Sequence, residues 1–287
     1  MTGRVRARKS LGQHWLTDGT ALRRIAEAGT PAPGDTILEI GAGTGLLTEL
    51  LARHGERVVA VEVDERLAGR LGGKYSGSDV VSVVNADVLA VEPEELLARG
   101  GGRLPYVVVG NLPYFIGTAI VRRFLEARAP PKWLVVTLQA EVAESMAAVA
   151  GRMTALGVMT QILATVRIVL RLPPSAFTPA PKVRSAVVRL DVRDLAEVEV
   201  DDREAFFALV RAGFAAPRKK LRNSLAVGLA IGATEAEGVL TLASVDGERR
   251  PAELELMEWR SLYFACRSSQ QSVVGDQRSG RGRRARG

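Results

Sequence analysis

The run Gly41-Ala42-Gly43-Thr44-Gly45 constrains the fold of this 287-residue chain more than any other feature. It stands between a short apolar strand pattern, Thr36-Ile37-Leu38-Glu39-Ile40, and the segment Leu46-Leu47-Thr48-Glu49-Leu50-Leu51-Ala52, whose apolar residues recur with helical period. Strand, glycine loop and helix open a nucleotide-binding βαβ unit. The glycines permit a tight turn and let a ligand approach the backbone closely. Their spacing is G-x-G-x-G, with Leu46 where a dinucleotide fingerprint has its last glycine. That spacing argues against a nicotinamide dinucleotide and toward S-adenosylmethionine, which has no pyrophosphate to cradle.

Further strand patterns follow, each ending in a polar residue. Val58-Val59-Ala60-Val61 ends at Glu62, about 20 positions past the first glycine, where an acidic side chain binds ribose hydroxyls. Val80 to Val84 leads to Asn85-Ala86-Asp87, and Asp87 can accept a hydrogen bond from the amino group of an adenine. Val107-Val108-Val109 leads to Asn111-Leu112-Pro113-Tyr114. Pro113 fixes its own φ, lacks an N–H, and pushes Leu112 toward an extended conformation, so carbonyls there can point outward. An amide, outward carbonyls and an aromatic ring at one point suit chemistry on the N6 of adenine. Taken alone, the tetrapeptide reads better as a strand-ending turn with a half-buried Tyr. The ordered set Gly41, Glu62, Asp87 and Asn111 decides between them, because ligands in open α/β sheets bind at the C-terminal ends of strands.

With these motifs the chain resembles the rRNA adenine N6,N6-dimethyltransferases, and within them the bacterial small-subunit (KsgA/RsmA) family, over roughly residues 8 to 265. Other marks of the resemblance are Arg8-Lys9-Ser10-Leu11-Gly12-Gln13-His14-Trp15-Leu16, Gln139-Ala140-Glu141-Val142, the segment from Pro173 to Val183, and Arg218-Lys219-Lys220-Leu221-Arg222-Asn223-Ser224-Leu225. The resemblance implies that His14, Leu16, Gly41, Glu62, Asp87 and Asn111 contact S-adenosylmethionine. It implies that Asn111 and Leu112 receive the target amino group, that Tyr114 stacks on the flipped adenine, and that Phe177 is a second aromatic beside it. Three departures stand out. His14-Trp15 replaces a common Asn-Phe, Ser145 stands where many members have Arg, and the segment from Ala150 to Thr154 is short. The last two bear on RNA contacts rather than on the chemistry.

The charge of +7 is unevenly spread. Residues 1–9 carry +4 and residues 269–287 carry +4, which leaves −1 for residues 10–268. Basic arms attract a phosphate backbone without reading its sequence. Arg218, Lys219, Lys220 and Arg222 form a local basic cluster after Pro217, at an expected helix start, and are candidate RNA contacts. The domain reading is a basic arm and helix over 1–33, an α/β methyltransferase domain over 34–195, a small all-α RNA-binding domain over 196–268, and a basic tail without secondary structure over 269–287. Residues 161–170 and 185–192 read as an antiparallel pair at the sheet edge. The pair Phe206-Phe207 reads as core.

Cys266 is the single cysteine, so no intramolecular disulfide can form. No Cys/His metal spacing is present, and no apolar run reaches the length of a membrane span. The basic start lacks a signal peptide's apolar region and runs straight into the first family motif. A monomeric, cytoplasmic enzyme without a metal is expected. The implied activity is dimethylation of two adjacent adenosines near the 3′ end of 16S rRNA in a precursor 30S subunit. Two alternatives remain at this level: a 23S rRNA adenine N6-methyltransferase of the macrolide-resistance type, and a non-catalytic ribosome assembly factor on the same fold.

Overall fold

A computed structural model of the chain describes residues 8, 12–54, 56–194 and 200–283, with side chains as far as residue 269. The remainder of the two basic arms and the 195–196 domain boundary lie outside the described residues. The chain divides into two compact units, residues 1–147 with 163–193, and residues 148–162 with 194–287.

The first unit is built on a seven-stranded sheet. Its first elements are β1 (Trp15–Leu16), α1 (Gly19–Ala28), β2 (Thr36–Ile40), α2 (Leu46–Leu51), β3 (Val58–Glu62), α3 (Glu65–Lys74), β4 (Val81–Asn85) and α4 (Pro93–Arg99). They are followed by β5 (Tyr106–Asn111), α5 (Gly117–Leu125), β6 (Trp133–Gln139) and α6 (Ala140–Met146). After an excursion into the second unit, which holds α7 (Ala155–Gln161), come β7 (Ala164–Leu172), β8 (Phe177–Thr178) and β9 (Ser185–Val192).

Strand order is β4-β3-β2-β5-β6-β9-β7. The pairs from β4 to β6 are parallel, while β9 runs antiparallel to both β6 and β7. Every residue of β2 and β3 is buried, as expected for parallel strands covered on both faces. The chain reverses its direction of travel across the sheet between β2 and β5. That is the topological switch point, where a crevice opens outside the strand ends. The glycine loop leaves β2 on one side of it and Asn111 ends β5 on the other. Asp18 caps α1 by accepting from the N–H groups of Thr20 and Ala21 at 2.9 Å each, which sets how the segment 12–18 approaches this crevice.

The β7–β9 pair has the expected sense, but β9 inserts next to β6 and leaves β7 at the edge. The pairing of β1 with β8 has no forerunner in the sequence pattern. It aligns Trp15 with Thr178 and Leu16 with Phe177, and two-residue strands carry no periodic signal.

The second unit contains α7, α8 (Arg203–Gly213), α9 (Leu221–Leu229), α10 (Ala233–Leu242) and α11 (Leu256–Arg283). Its core includes Phe206, Phe207, Leu225, Trp259 and Tyr263, all nearly inaccessible, so the Phe206-Phe207 pair is core. A Cβ on Gly213 would fall 2.4 Å from the Trp259 ring, which explains a glycine inside α8. Two sequence expectations change here. Residues 148–162, expected within the sheet domain, cluster with the helices. The N–H groups of Gly151 and Met153 donate to the Ala252 carbonyl, and Val158 is fully buried. The tail from residue 269 is expected from its composition to lack secondary structure, yet α11 continues through Arg283. Helix propagation from an already formed turn is cheaper than nucleation, so the docked first turns of α11 can extend into polar sequence.

Among the described residues no single helix is long and apolar enough to cross a membrane.

Candidate active site

A cleft whose empty space, with the open solvent at its mouth, is about 760 Å³ lies at the switch point. His14, Gly41, Glu62, Asp87, Asn111, Leu112 and Tyr114 all line it. The fold thus brings together seven of the expected site residues from five separate chain segments.

Asn111 sits at the end of β5. Its Nδ2 donates to the His14 carbonyl at 2.8 Å, which orients the amide and its acceptor oxygen, Oδ1. The next strand presses close, since a Cβ on Gly110 would lie 2.5 Å from the Ile40 carbonyl oxygen. This side-by-side packing of β2 and β5 fixes where Asn111 emerges. Leu112 borders the cleft, although the residue as a whole is only 2% exposed. Tyr114 is partly buried. Its hydroxyl hydrogen-bonds the Ser185 hydroxyl at 2.6 Å, and its ring stacks against His14 with centroids 5.8 Å apart. Burial pushes the phenol's pKa up, with the Ser185 contact opposing, so the ring stays neutral. His14 Nδ1 lies 2.7 Å from the Pro179 carbonyl and must carry the proton to donate to it.

Glu62 ends β3 and is 5% exposed. One carboxylate oxygen accepts the N–H of Gly43 at 2.8 Å and the other that of Asp64 at 2.9 Å. Burial raises its pKa, backbone donors from Asp64 and Gly43 oppose the rise, and the Asp64 charge adds to it. The carboxylate therefore anchors the glycine loop as well as facing the cleft. Gly41, Gly43 and Gly45 have φ of +74°, +57° and +79°, values that favour glycine at all three positions. Asp87 uses Oδ1 to accept from the N–H of Leu89 at 2.9 Å, which holds the side chain at the loop after β4.

Two expected site residues lie elsewhere. Leu16 is 3% exposed and belongs to the apolar core, bordering a smaller recess beside the glycine loop rather than the main cleft. Phe177 is 3% exposed in the same core. The β1–β8 pairing sets it opposite Leu16, so its ring is taken up by packing and does not line the cleft. The sequence patterns also fail to single out Gln13, Trp15 and Glu39. Gln13 lines the cleft and bridges the Arg8 backbone N–H, at 2.8 Å, to Asp64. Trp15 lies against the glycine loop, where a Cβ on Gly43 would come within 3.3 Å of its ring.

Glu39 is a carboxyl in a wholly buried strand, and its Oε2 has no partner among the described residues. The signal for it is a charged letter inside an apolar run. Burial drives its pKa up to about 7, with Thr48 opposing and the Glu62 charge adding. Between its ordinary value of 4.5 and about 7, the folded protein holds a proton that the unfolded chain has released. Stability therefore falls as pH rises through that window, by at most about 1.4 kcal/mol per unit. Glu39→Gln removes the titration. Its stability advantage over wild type should grow from pH 4.5 to 7 and then level off in thermal melts, whereas parallel profiles would show that Glu39 does not titrate there.

The expected RNA cluster lies in the second unit. Arg218, Lys219 and Lys220 are exposed, but the helix opens at Leu221 and not after Pro217, so the first three sit in a turn and the cap. Cations there oppose the helix dipole. Glu248 answers them, pairing with Lys220 and, at 2.7 Å, with Arg222. Those two contacts hold Glu248 below its usual pKa, that of Lys220 being the largest cause. Arg218 and Lys219 make no ion pair among the described residues.

A mostly parallel sheet, a glycine loop braced by a strand-end carboxylate, and an Asn-Leu-Pro-Tyr turn across the switch point define a Rossmann-like methyltransferase. Residues 4–260 match the family model described as ribosomal RNA adenine dimethylase. The chain belongs to that family of rRNA methyltransferases. Curated relatives named ribosomal RNA small subunit methyltransferase A include one from Dehalococcoides mccartyi, 39% identical over 90% of this chain and 88% of that protein. Another, from Moorella thermoacetica, is 39% identical over 89% and 91%. Among solved structures, the 23S rRNA methyltransferase ErmE is similar with a TM-score of 0.68 at 32% identity, covering 88% of this chain and 98% of that one. A dimethyladenosine transferase from Plasmodium falciparum shares the fold, with a TM-score of 0.73 at 23% identity over 87% and 96%.

Proposed function

We propose that this protein dimethylates N6 of two adjacent adenosines in the 3′-terminal hairpin loop of 16S rRNA, using S-adenosylmethionine, during small-subunit assembly. It acts as a cytoplasmic monomer on a precursor 30S particle and needs no metal. The observation that carries the chemistry is Asn111: its amide nitrogen is committed to the His14 carbonyl, so its oxygen faces the task of accepting from a substrate amino group. The glycine loop braced by the buried Glu62, with Asp87 at the next strand end, suits an adenosine-bearing cofactor.

When bound, S-adenosylmethionine supplies a methyl group on an electrophilic sulfonium. Glu62 would accept from its ribose hydroxyls and Asp87 from its adenine amino group, with His14 and Gly41 lining the same cleft. Asn111 Oδ1 and the Leu112 carbonyl accept the hydrogens of the target amino group and direct its lone pair. Tyr114 stacks on the target base, which must leave its own stack to reach the cleft. No strong base is required, because the proton leaves after the nitrogen has become positive. Positioning and fixed dipoles supply most of the acceleration.

Small-subunit rRNA is favoured by the names of relatives that match about nine-tenths of the chain. The likeness to ErmE supports the large-subunit reading as the rival. Arg218 and Lys219, with Lys220 and Arg222 shared by Glu248, anchor phosphates without reading sequence. The test is methylation of precursor small subunits, mature small subunits and protein-free large-subunit rRNA. Precursor particles should gain two methyl groups on each of two adjacent adenosines. Preferential methylation of large-subunit rRNA would replace this reading with its rival, and methylation of neither would favour a binding role.

A further inference from the structure

Phe115, the large apolar residue that follows Tyr114, is 66% exposed. A singly exposed apolar residue is ordinary on a protein surface. Phe115 differs by its place. The Pro113 carbonyl accepts the N–H of Ile116 at 3.2 Å, closing a four-residue turn with Tyr114 and Phe115 at its tip. The other three residues of that turn line the cleft, and so does Gly12, which lies against the ring. A Cβ on Gly12 would fall 2.9 Å from Phe115 Cε1, and Gly12 has φ +59°, so the ring rests on a backbone position that favours glycine. Among the described residues no other ring contacts Phe115. Meanwhile Phe177, the other aromatic expected to hold RNA, is buried in the core.

We propose that Phe115 forms a second base-stacking platform at the rim of the cleft, which takes the nucleobase adjoining the one held at Tyr114. The inference rests on the RNA adenine methyltransferase reading above. Two rings at consecutive positions of one turn, one partly buried and hydrogen-bonded and one open, can receive two consecutive bases of a single-stranded loop splayed apart. Unpaired loop bases are recognised by stacking on aromatic side chains in this way. Every base has a π-face, so the platform would position the strand with little demand on which base occupies it.

The experiment compares wild type, Phe115→Ala and Phe115→Tyr in single-turnover methylation of precursor small subunits. A second arm measures fluorescence of a loop hairpin RNA carrying 2-aminopurine beside the target adenosine. Phe115→Ala should lose about ten- to hundredfold in kcat/KM for RNA, as for loss of one stacked base. Phe115→Tyr should restore most of it, and calorimetric S-adenosylmethionine affinity should be the same in all three. The 2-aminopurine signal should be quenched by wild type and Phe115→Tyr but not by Phe115→Ala. Near-wild-type rates with unchanged quenching in Phe115→Ala would overturn the proposal, as would a defect confined to the cofactor. If wild type methylates no rRNA, the functional reading fails separately, and the fluorescence arm still reports whether the ring stacks a base.

Discussion

Asn111→Ala should leave a folded protein that binds its cofactor but transfers methyl groups at least about a hundredfold more slowly. Two contacts vanish together. The Nδ2 bond to the His14 carbonyl, 2.8 Å long, holds the segment 12–16 against the end of β5. Loss of one such bond removes only about 1 kcal/mol of stability. The other contact is the Oδ1 acceptor, which matters most as the target nitrogen acquires positive charge. Removing one preorganised group of this kind typically lowers kcat about 10²–10³-fold, and the slackened His14 segment adds misplacement to that loss. The defect should lie in kcat, the signature of a contact made mainly in the transition state. Thermal melts and cofactor calorimetry on the variant supply the controls. Turnover within tenfold of wild type would take Asn111 out of the mechanism.

Features of this fold are legible in the sequence where their cause is local. Strands β3 and β5 are apolar runs closed by Glu62 and Asn111, and β2 is an apolar run interrupted by Glu39 and closed by the glycine loop. The glycine loop announces its own backbone, since positive φ at Gly41, Gly43 and Gly45 favours that residue type. The site residues at those strand ends are therefore readable, and the fold assembles them in one cleft. What escapes a reading of the sequence is non-local. Phe177 is buried because β8 pairs with β1, a partner far away in sequence and two residues long. The excursion of residues 148–162 into the helical unit leaves no mark at its boundaries, because its apolar residues would serve either core equally well. Lys220 and Arg222 look available as free cations in the sequence, whereas the fold sets Glu248, from a distant loop, against both of them.

Glu62→Ala should weaken S-adenosylmethionine binding by about a hundredfold or more while leaving RNA affinity close to wild type. Glu62 carries two duties that alanine cannot share. It would accept from the ribose hydroxyls, and hydrogen bonds to a charged group contribute about 1.5–3 kcal/mol each. It also holds the glycine loop in place through Gly43 N–H at 2.8 Å and the start of α3 through Asp64 N–H at 2.9 Å, both buried contacts. Alanine would leave those two donors unpaired, at about 1–3 kcal/mol each, so the variant should also melt earlier. Glu62→Gln separates the duties. Its single amide oxygen can keep one backbone contact and its volume is nearly unchanged, so most of the stability should return while cofactor affinity stays well below wild type. The basic cluster proposed to anchor phosphates belongs to the other compact unit, so neither variant touches a proposed RNA contact. Calorimetry with the cofactor and filter binding with precursor particles measure the two affinities on the same preparations. Equal losses for both ligands in Glu62→Gln would mean that Glu62 supports the fold in general and does not read the cofactor.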